Sequence, residues 1–114
     1  NPDYRLSTID YQTTALHSLL PTLSLIVNTT PVGMSPNVDA SPWPADLPFP
    51  PKAAVYDLVY NPHETKLVKD ARDAGIPATT GLGMLIEQAA LAFEIWTGYK
   101  PLSDVLWKTE DDRP

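Results

Sequence analysis

From Leu82 to Thr97, between Gly81 and Gly98, the chain is apolar at nearly every position. A helix with so little polar surface is one that protein encloses on all sides, so this segment is expected to be buried. Its polar residues are few. Glu87 and Glu94 stand seven apart, two turns along one line, and both can reach solvent from one narrow edge. Gln88 falls four residues after Met84 and seven before Ile95, on an apolar stripe. A buried amide needs partners for two donors and two lone pairs. Another protein group supplies them, or a polar ligand does.

Two other runs read as buried strands. Ser24 to Thr29 carries the continuous, β-branched apolar pattern of a strand covered on both faces in a parallel sheet, and Ala53 to Tyr60 repeats it. The first ends in Asn28-Thr29-Thr30-Pro31-Val32-Gly33-Met34. A polar, glycine-bearing turn at the carboxyl end of such a strand is where open α/β sheets bind ligands; it is also an ordinary Asx or Ser/Thr turn. Asp57 inside the second strand is costly unless paired or hydrogen-bonded, which leaves a structural tie to a neighbouring loop or a catalytic role. Tyr60, at that strand's carboxyl end, is better placed to meet a ligand.

Helices fill the intervals. Leu16, Leu19, Leu20 and Leu23 repeat at near-helical spacing over Thr13 to Leu20, with Pro21 interrupting the last turn and His17 on the polar side. After the second strand, Asn61 suits an N-cap, Pro62 the first helical position and Glu64 a capping box; Leu67, Val68, Ala71 and Ala74 give an apolar face and Gly75 a stop. On that reading His63 is exposed and inert. Ile76 to Thr80 forms a short strand, with Pro77 marking an edge or a strand start. Residues 4 to 9 carry a weak strand pattern. A second short helix is expected from about Leu102 to Lys108, before the acidic Glu110-Asp111-Asp112. Strands alternating with helices imply parallel pairing and right-handed crossovers, hence half of a doubly wound α/β sheet with carboxyl-terminal helices.

Composition changes one part of this picture. Of 13 prolines, seven (Pro31, Pro36, Pro42, Pro44, Pro48, Pro50 and Pro51) crowd one segment, which must be a long loop with Trp43 and Phe49 as apolar anchors. The 114 residues make one domain at most. A net charge of -6 argues against a nucleic-acid partner. Zero cysteines exclude disulfides and thiolate metal sites and fit a cytoplasmic protein. Neither a signal peptide nor an apolar run of membrane-spanning length is seen, so a membrane is not an expected partner.

Catalytic chemistry is missing. No Gly-x-Gly-x-x-Gly follows a strand, and Gly81-Leu82-Gly83 opens a helix instead. Two histidines 46 positions apart make no zinc signature, and no nucleophile motif is present. The residues support ligand contact without chemistry.

Three ordered blocks carry a resemblance. Val27 to Met34, then Val55 to Pro62 with Thr65 and Leu67, then Gly81 to Leu85 with Gln88-Ala89-Ala90, Phe93, Trp96 and Gly98 resemble the carboxyl-terminal half of shikimate dehydrogenases. The likeness covers about residues 24 to 98. It implies a Rossmann-like fold and an enzyme of aromatic amino-acid biosynthesis that reduces 3-dehydroshikimate to shikimate with NADPH. It also implies that Asn28, Thr29, Thr30, Pro31, Val32 and Gly33 lie against NADP near its nicotinamide end, that Leu58 and Gly81 line the cofactor, and that Tyr60 and Gln88 touch the substrate. On this reading the Gln88 amide bonds a hydroxyl or carboxylate of the bound acid. The family's catalytic lysine and aspartate, substrate-binding serines, glycine-rich phosphate loop and basic cofactor clamp match nothing here. The resemblance thus implies a fragment, not catalytic by itself. Residues 1–81 would be the second half of the cofactor domain, and residues 82–114 closing helices that pack toward an upstream catalytic half. The other reading is a non-catalytic Rossmann-like binding module whose open sheet edge pairs with a second copy.

Overall fold

The computed structural model describes residues 5–10 and 14–101. Three parallel strands, β1 (Leu25–Asn28), β2 (Ala54–Asp57) and β3 (Ala78–Thr80), form a sheet in the order β1-β2-β3. The register aligns Asn28 with Asp57 and Asp57 with Thr80, so the carboxyl ends of all three strands share one rim. Helix α1 (Thr14–Leu19) precedes the sheet and tightens into a 3-10 turn at Leu20–Thr22, where Pro21 removes an N–H from the ladder. Helix α2 (Lys66–Asp73) connects β2 to β3 and packs on both, as a parallel crossover requires. The link from β1 to β2 is the proline-rich loop, which contains no helix.

The core lies between one face of the sheet and α2. Val55, Leu67, Ala71 and Ile76 form it, with Ile26, Ala78, Trp43 and Phe49 packed against them. Trp43 and Phe49 stack with ring centroids 5.3 Å apart, and the Trp43 indole N–H donates to the Leu47 carbonyl at 2.9 Å. The proline loop is therefore ordered and anchored by its two aromatics, as the sequence predicts.

Several expectations change. Residues 5–10 form no strand. β1 is not covered on both faces: Ile26 and Asn28 point inward, while Leu25 is 58% exposed and Val27 is 44% exposed. The reason is architectural, because α2 and the proline loop cover only one face of this sheet. The second strand ends at Asp57 rather than Tyr60. Its ladder partner runs out at Asn28, and the Asp57 carboxylate takes the Val59 N–H at 3.0 Å and turns the chain out of the sheet. Helix α2 starts after Thr65, not Asn61; the Thr65 hydroxyl accepts the Val68 N–H at 3.2 Å, whereas Asn61 faces Ser35.

The largest correction concerns helix α3 (Leu82–Thr97). It is a helix ended at Gly98 in the left-handed conformation, as expected, but Ile86 is its one buried residue. Ile95 and Trp96 are 78% and 81% exposed, and Gln88 is exposed rather than enclosed. Nothing among the described residues forms the layer that an all-round apolar helix needs. The expected helix at 102–108 and the acidic residues 110–112 lie outside the described residues.

Replacing Leu67, which is fully buried in the core, with alanine is expected to lower stability by roughly 2–5 kcal/mol, measured by urea denaturation.

Candidate functional site

The rim formed by the strand ends is organised by one buried carboxylate. Asp57 is fully buried, and each of its oxygens is engaged. Oδ1 accepts from Asn28 Nδ2 and from the Val59 backbone N–H, both at 3.0 Å. Oδ2 accepts the Thr65 hydroxyl proton at 2.8 Å. A carboxylate of this kind only accepts, so the Asn28 amide must turn its NH2 toward Asp57 and its oxygen outward. That oxygen meets the next loop: Thr30 donates to it through its backbone N–H at 3.0 Å and its hydroxyl at 2.6 Å. The Thr30 hydroxyl in turn accepts the Val32 N–H at 3.2 Å, and Asn28 Nδ2 reaches the Val32 carbonyl at 3.3 Å. The Asn28–Val32 turn is thus pinned from below by a side chain of the neighbouring strand.

Gly33 continues the turn at a φ of +96°, and a Cβ there would sit 3.1 Å from the Ala40 carbonyl oxygen. Only glycine meets both conditions without strain. Beyond it, the Ser35 N–H and hydroxyl donate to the Asn61 carbonyl and Oδ1 at 2.9 and 3.2 Å. This ties the loop after β1 to the loop after β2.

The predicted cofactor contacts come together here. Leu58 donates its N–H to the Asn28 carbonyl at 3.1 Å, directly above the last rung of the sheet. Gly81 follows β3 and packs backbone to backbone on Leu58: a Cβ at Gly81 would lie 2.7 Å from the Leu58 oxygen. Asn28, Leu58 and Gly81 therefore meet at the rim beside the turn Thr29 to Gly33; Asn28, Gly33 and Gly81 are buried there, Leu58 is half-buried and Thr29 to Val32 are exposed. Tyr60 is 43% exposed on the chain that leaves this rim. Gln88 stands on α3, two turns after its start, on a surface open to solvent.

Sequence reasoning assigned Thr65 no role in the site and gave Ser35 none at all. The buried acid at Asp57 was the available signal, since it demanded a donor, but the partner lies eight residues on and only the fold brings it back. No group of three or more His, Asp or Glu placed to hold a metal ion occurs among the described residues. His17 and His63 are both exposed. A cleft of about 1110 Å³ lies between the proline loop and α2, lined by Asp39, Asp46, Asp70 and Asp73 beside Trp43 and His17. None of the predicted site residues borders it, and its carboxylates would repel an anionic ligand. Its Lys66 is engaged with Asp70 at 2.6 Å. The rim, where the predicted residues meet, is the better candidate. What it can do chemically is hold a ligand through backbone and small polar groups.

Comparison with known proteins shows what the chain is similar to. Residues 81–109 match the family described as the shikimate 5'-dehydrogenase C-terminal domain. The NADP(+) shikimate dehydrogenase of Microcystis aeruginosa is 47% identical over 85 residues, which cover 73% of this chain and 30% of that protein. A crystal structure of shikimate 5-dehydrogenase from Thermus thermophilus in complex with NADP(H) and shikimate is 46% identical, with a TM-score of 0.63 over 70% of this chain and 30% of that one. Ligand-free 5-ketofructose reductase from Gluconobacter is 32% identical, with a TM-score of 0.65 over 78% and 32%. The chain spans about 30% of the length of the curated relative it matches.

Gly81→Ala is expected to push the Leu58 backbone away and cost about 1–3 kcal/mol, read as a fall in thermal midpoint. In the same assay Gly75→Ala, where a Cβ meets nothing within 4 Å, reports only the strain of its φ of +81°.

Proposed function

We infer, from its membership of the shikimate dehydrogenase family, that this chain is the carboxyl-terminal part of an NADP-dependent shikimate dehydrogenase. The whole enzyme reduces 3-dehydroshikimate to shikimate with NADPH. The observation that carries this reading is that the rim around Asp57 brings Asn28 to Gly33, Leu58 and Gly81 together, with Thr29 to Val32 exposed, in a chain that resembles enzymes named for NADP. Gly33 and Gly81 let the rim close on itself, because a Cβ at either would press on backbone of this chain.

In this proposal Asn28, Thr29, Thr30, Pro31, Val32 and Gly33 bind along the nicotinamide end of NADP, and Leu58 and Gly81 form the floor beneath it. Bound NADPH supplies the hydride. Tyr60 and the exposed Gln88 orient the substrate, Gln88 through its amide. Residues 1–81 belong to the cofactor domain and residues 82–114 to the closing helices. Phosphate binding and proton transfer come from an upstream half of the same protein. Support for such a half comes from surface that is costly in water: the outer face of β1 at Leu25 and Val27, and α3 at Leu91, Ile95 and Trp96. No helix among the described residues is long and apolar enough to cross a membrane.

The likeness to a 5-ketofructose reductase favours one competing substrate, another polyhydroxylated ketone, on the same frame. The full-length gene product, assayed with NADPH, separates the two: turnover of 3-dehydroshikimate is expected and turnover of 5-ketofructose is not. The 114-residue chain alone is expected to be inactive, and shikimate-dependent reduction of NADP by it would overturn the proposal. In the full-length enzyme Gln88→Ala should raise the KM for shikimate roughly tenfold, the loss of a hydrogen bond to a charged or hydroxyl group, with little change in thermal midpoint.

A further inference from the structure

Asp57 and Thr65 lie behind the proposed cofactor surface and belong to none of its contacts. Both are fully buried. Between them they fix the direction of every proton in a chain of bonds that runs from α2 to the loop after β1. The Val68 N–H donates to the Thr65 hydroxyl, which spends its single proton on Asp57 Oδ2. Asp57 Oδ1 takes the Asn28 NH2, and this leaves the Asn28 oxygen to receive Thr30 twice. The Thr30 hydroxyl, its proton committed to Asn28, accepts Val32. No member can reverse without orphaning the next, and an unmatched buried polar group is expensive. The conformation of the Asn28–Val32 turn is therefore set by a carboxylate on the neighbouring strand and by the cap of a helix on the far side of it.

We propose that Asp57 and Thr65 are positioning residues for cofactor affinity, acting through Asn28 to hold the Asn28–Gly33 turn in its binding conformation. This rests on the reading that the turn binds NADP. It separates two roles that the sequence leaves merged in Asp57. The carboxylate neither touches the reacting atoms nor serves only as a core tie; it determines how a surface loop is shaped.

The test uses the full-length enzyme, with the dissociation constant for NADP+ by calorimetry, the KM for shikimate, kcat and the thermal midpoint measured together. Thr65→Val, which keeps the volume and removes the hydroxyl, should weaken NADP+ binding roughly tenfold while the KM for shikimate stays within about twofold. Thr65→Ser should restore the affinity. Asp57→Asn, which still accepts from Asn28 but presents an NH2 to Thr65, should move affinity in the same direction if Thr65→Val does not fold. Leu67→Ala is the control, because it destabilises α2 from the core side without touching the chain of bonds; it should lower the thermal midpoint and leave NADP+ affinity as it was. A loss of midpoint in Thr65→Val with unchanged affinity would overturn the inference, as would equal loss of affinity in Leu67→Ala. A wild-type enzyme that does not bind NADP+ at all would overturn the cofactor reading and the inference together.

Discussion

Asp57 cannot be buried without donors, and supplying them organises this structure. A carboxylate out of water costs several kcal/mol unless it is hydrogen-bonded. Here Asn28, Val59 and Thr65 meet the demand, and each stands at a boundary: Asn28 closes β1, Val59 lies on the chain just beyond the end of β2, and Thr65 caps α2. One polar requirement thereby fixes where two strands stop and where a helix begins. The apolar core beneath, from Val55 to Leu67, Ala71 and Ile76, supplies the burial that makes the requirement so stringent.

The same arrangement shapes the rim at the strand ends where the proposed site lies. Parallel strands finish in register on one rim, and their loops leave in the same direction. What turns that topological opportunity into a defined surface is local: a left-handed glycine at Gly33, a glycine at Gly81 pressed on Leu58, and an Asn28 amide whose orientation is dictated from below. The ion pairs contribute little by comparison. Lys66 with Asp70 and Arg72 with Glu64 are well exposed, and such pairs are worth about 0–1 kcal/mol.

The outer half of the molecule has a different character. Leu25 and Val27 on β1, and Leu91, Ile95 and Trp96 on α3, carry the pattern of buried residues and are open to solvent. The proposed upstream half would cover them; the chain spans about 30% of the length of the relative it matches. Gln88 belongs to that same uncovered surface. Its amide, expected inside an enclosed helix, instead faces outward where a substrate or another part of the protein can reach it.

Local pattern was enough to read the three parallel strands, α2 and α3, the glycine stops at Gly75 and Gly98, the Trp43 and Phe49 anchors and the turn at Asn28 to Gly33, because each depends on residues close together in the chain. Of the residues singled out by the resemblance, Asn28 to Gly33, Leu58 and Gly81 meet at the rim, whereas Gln88 stands apart on α3. The helix start at Thr65 was not legible from Asn61, Pro62 and Glu64, which satisfy every local capping rule; Thr65 prevails because it also answers Asp57 eight residues earlier. Nor could sequence say that β1 and α3 would each be covered on only part of their surface, since apolar pattern records what a segment is suited to touch and not which neighbours this chain brings. By itself the sequence determined the kinds of elements, their order and the demand of a buried acid. Only the tertiary structure decided which donors met that demand, because hydrogen-bond partners far apart in the chain are chosen by register and packing.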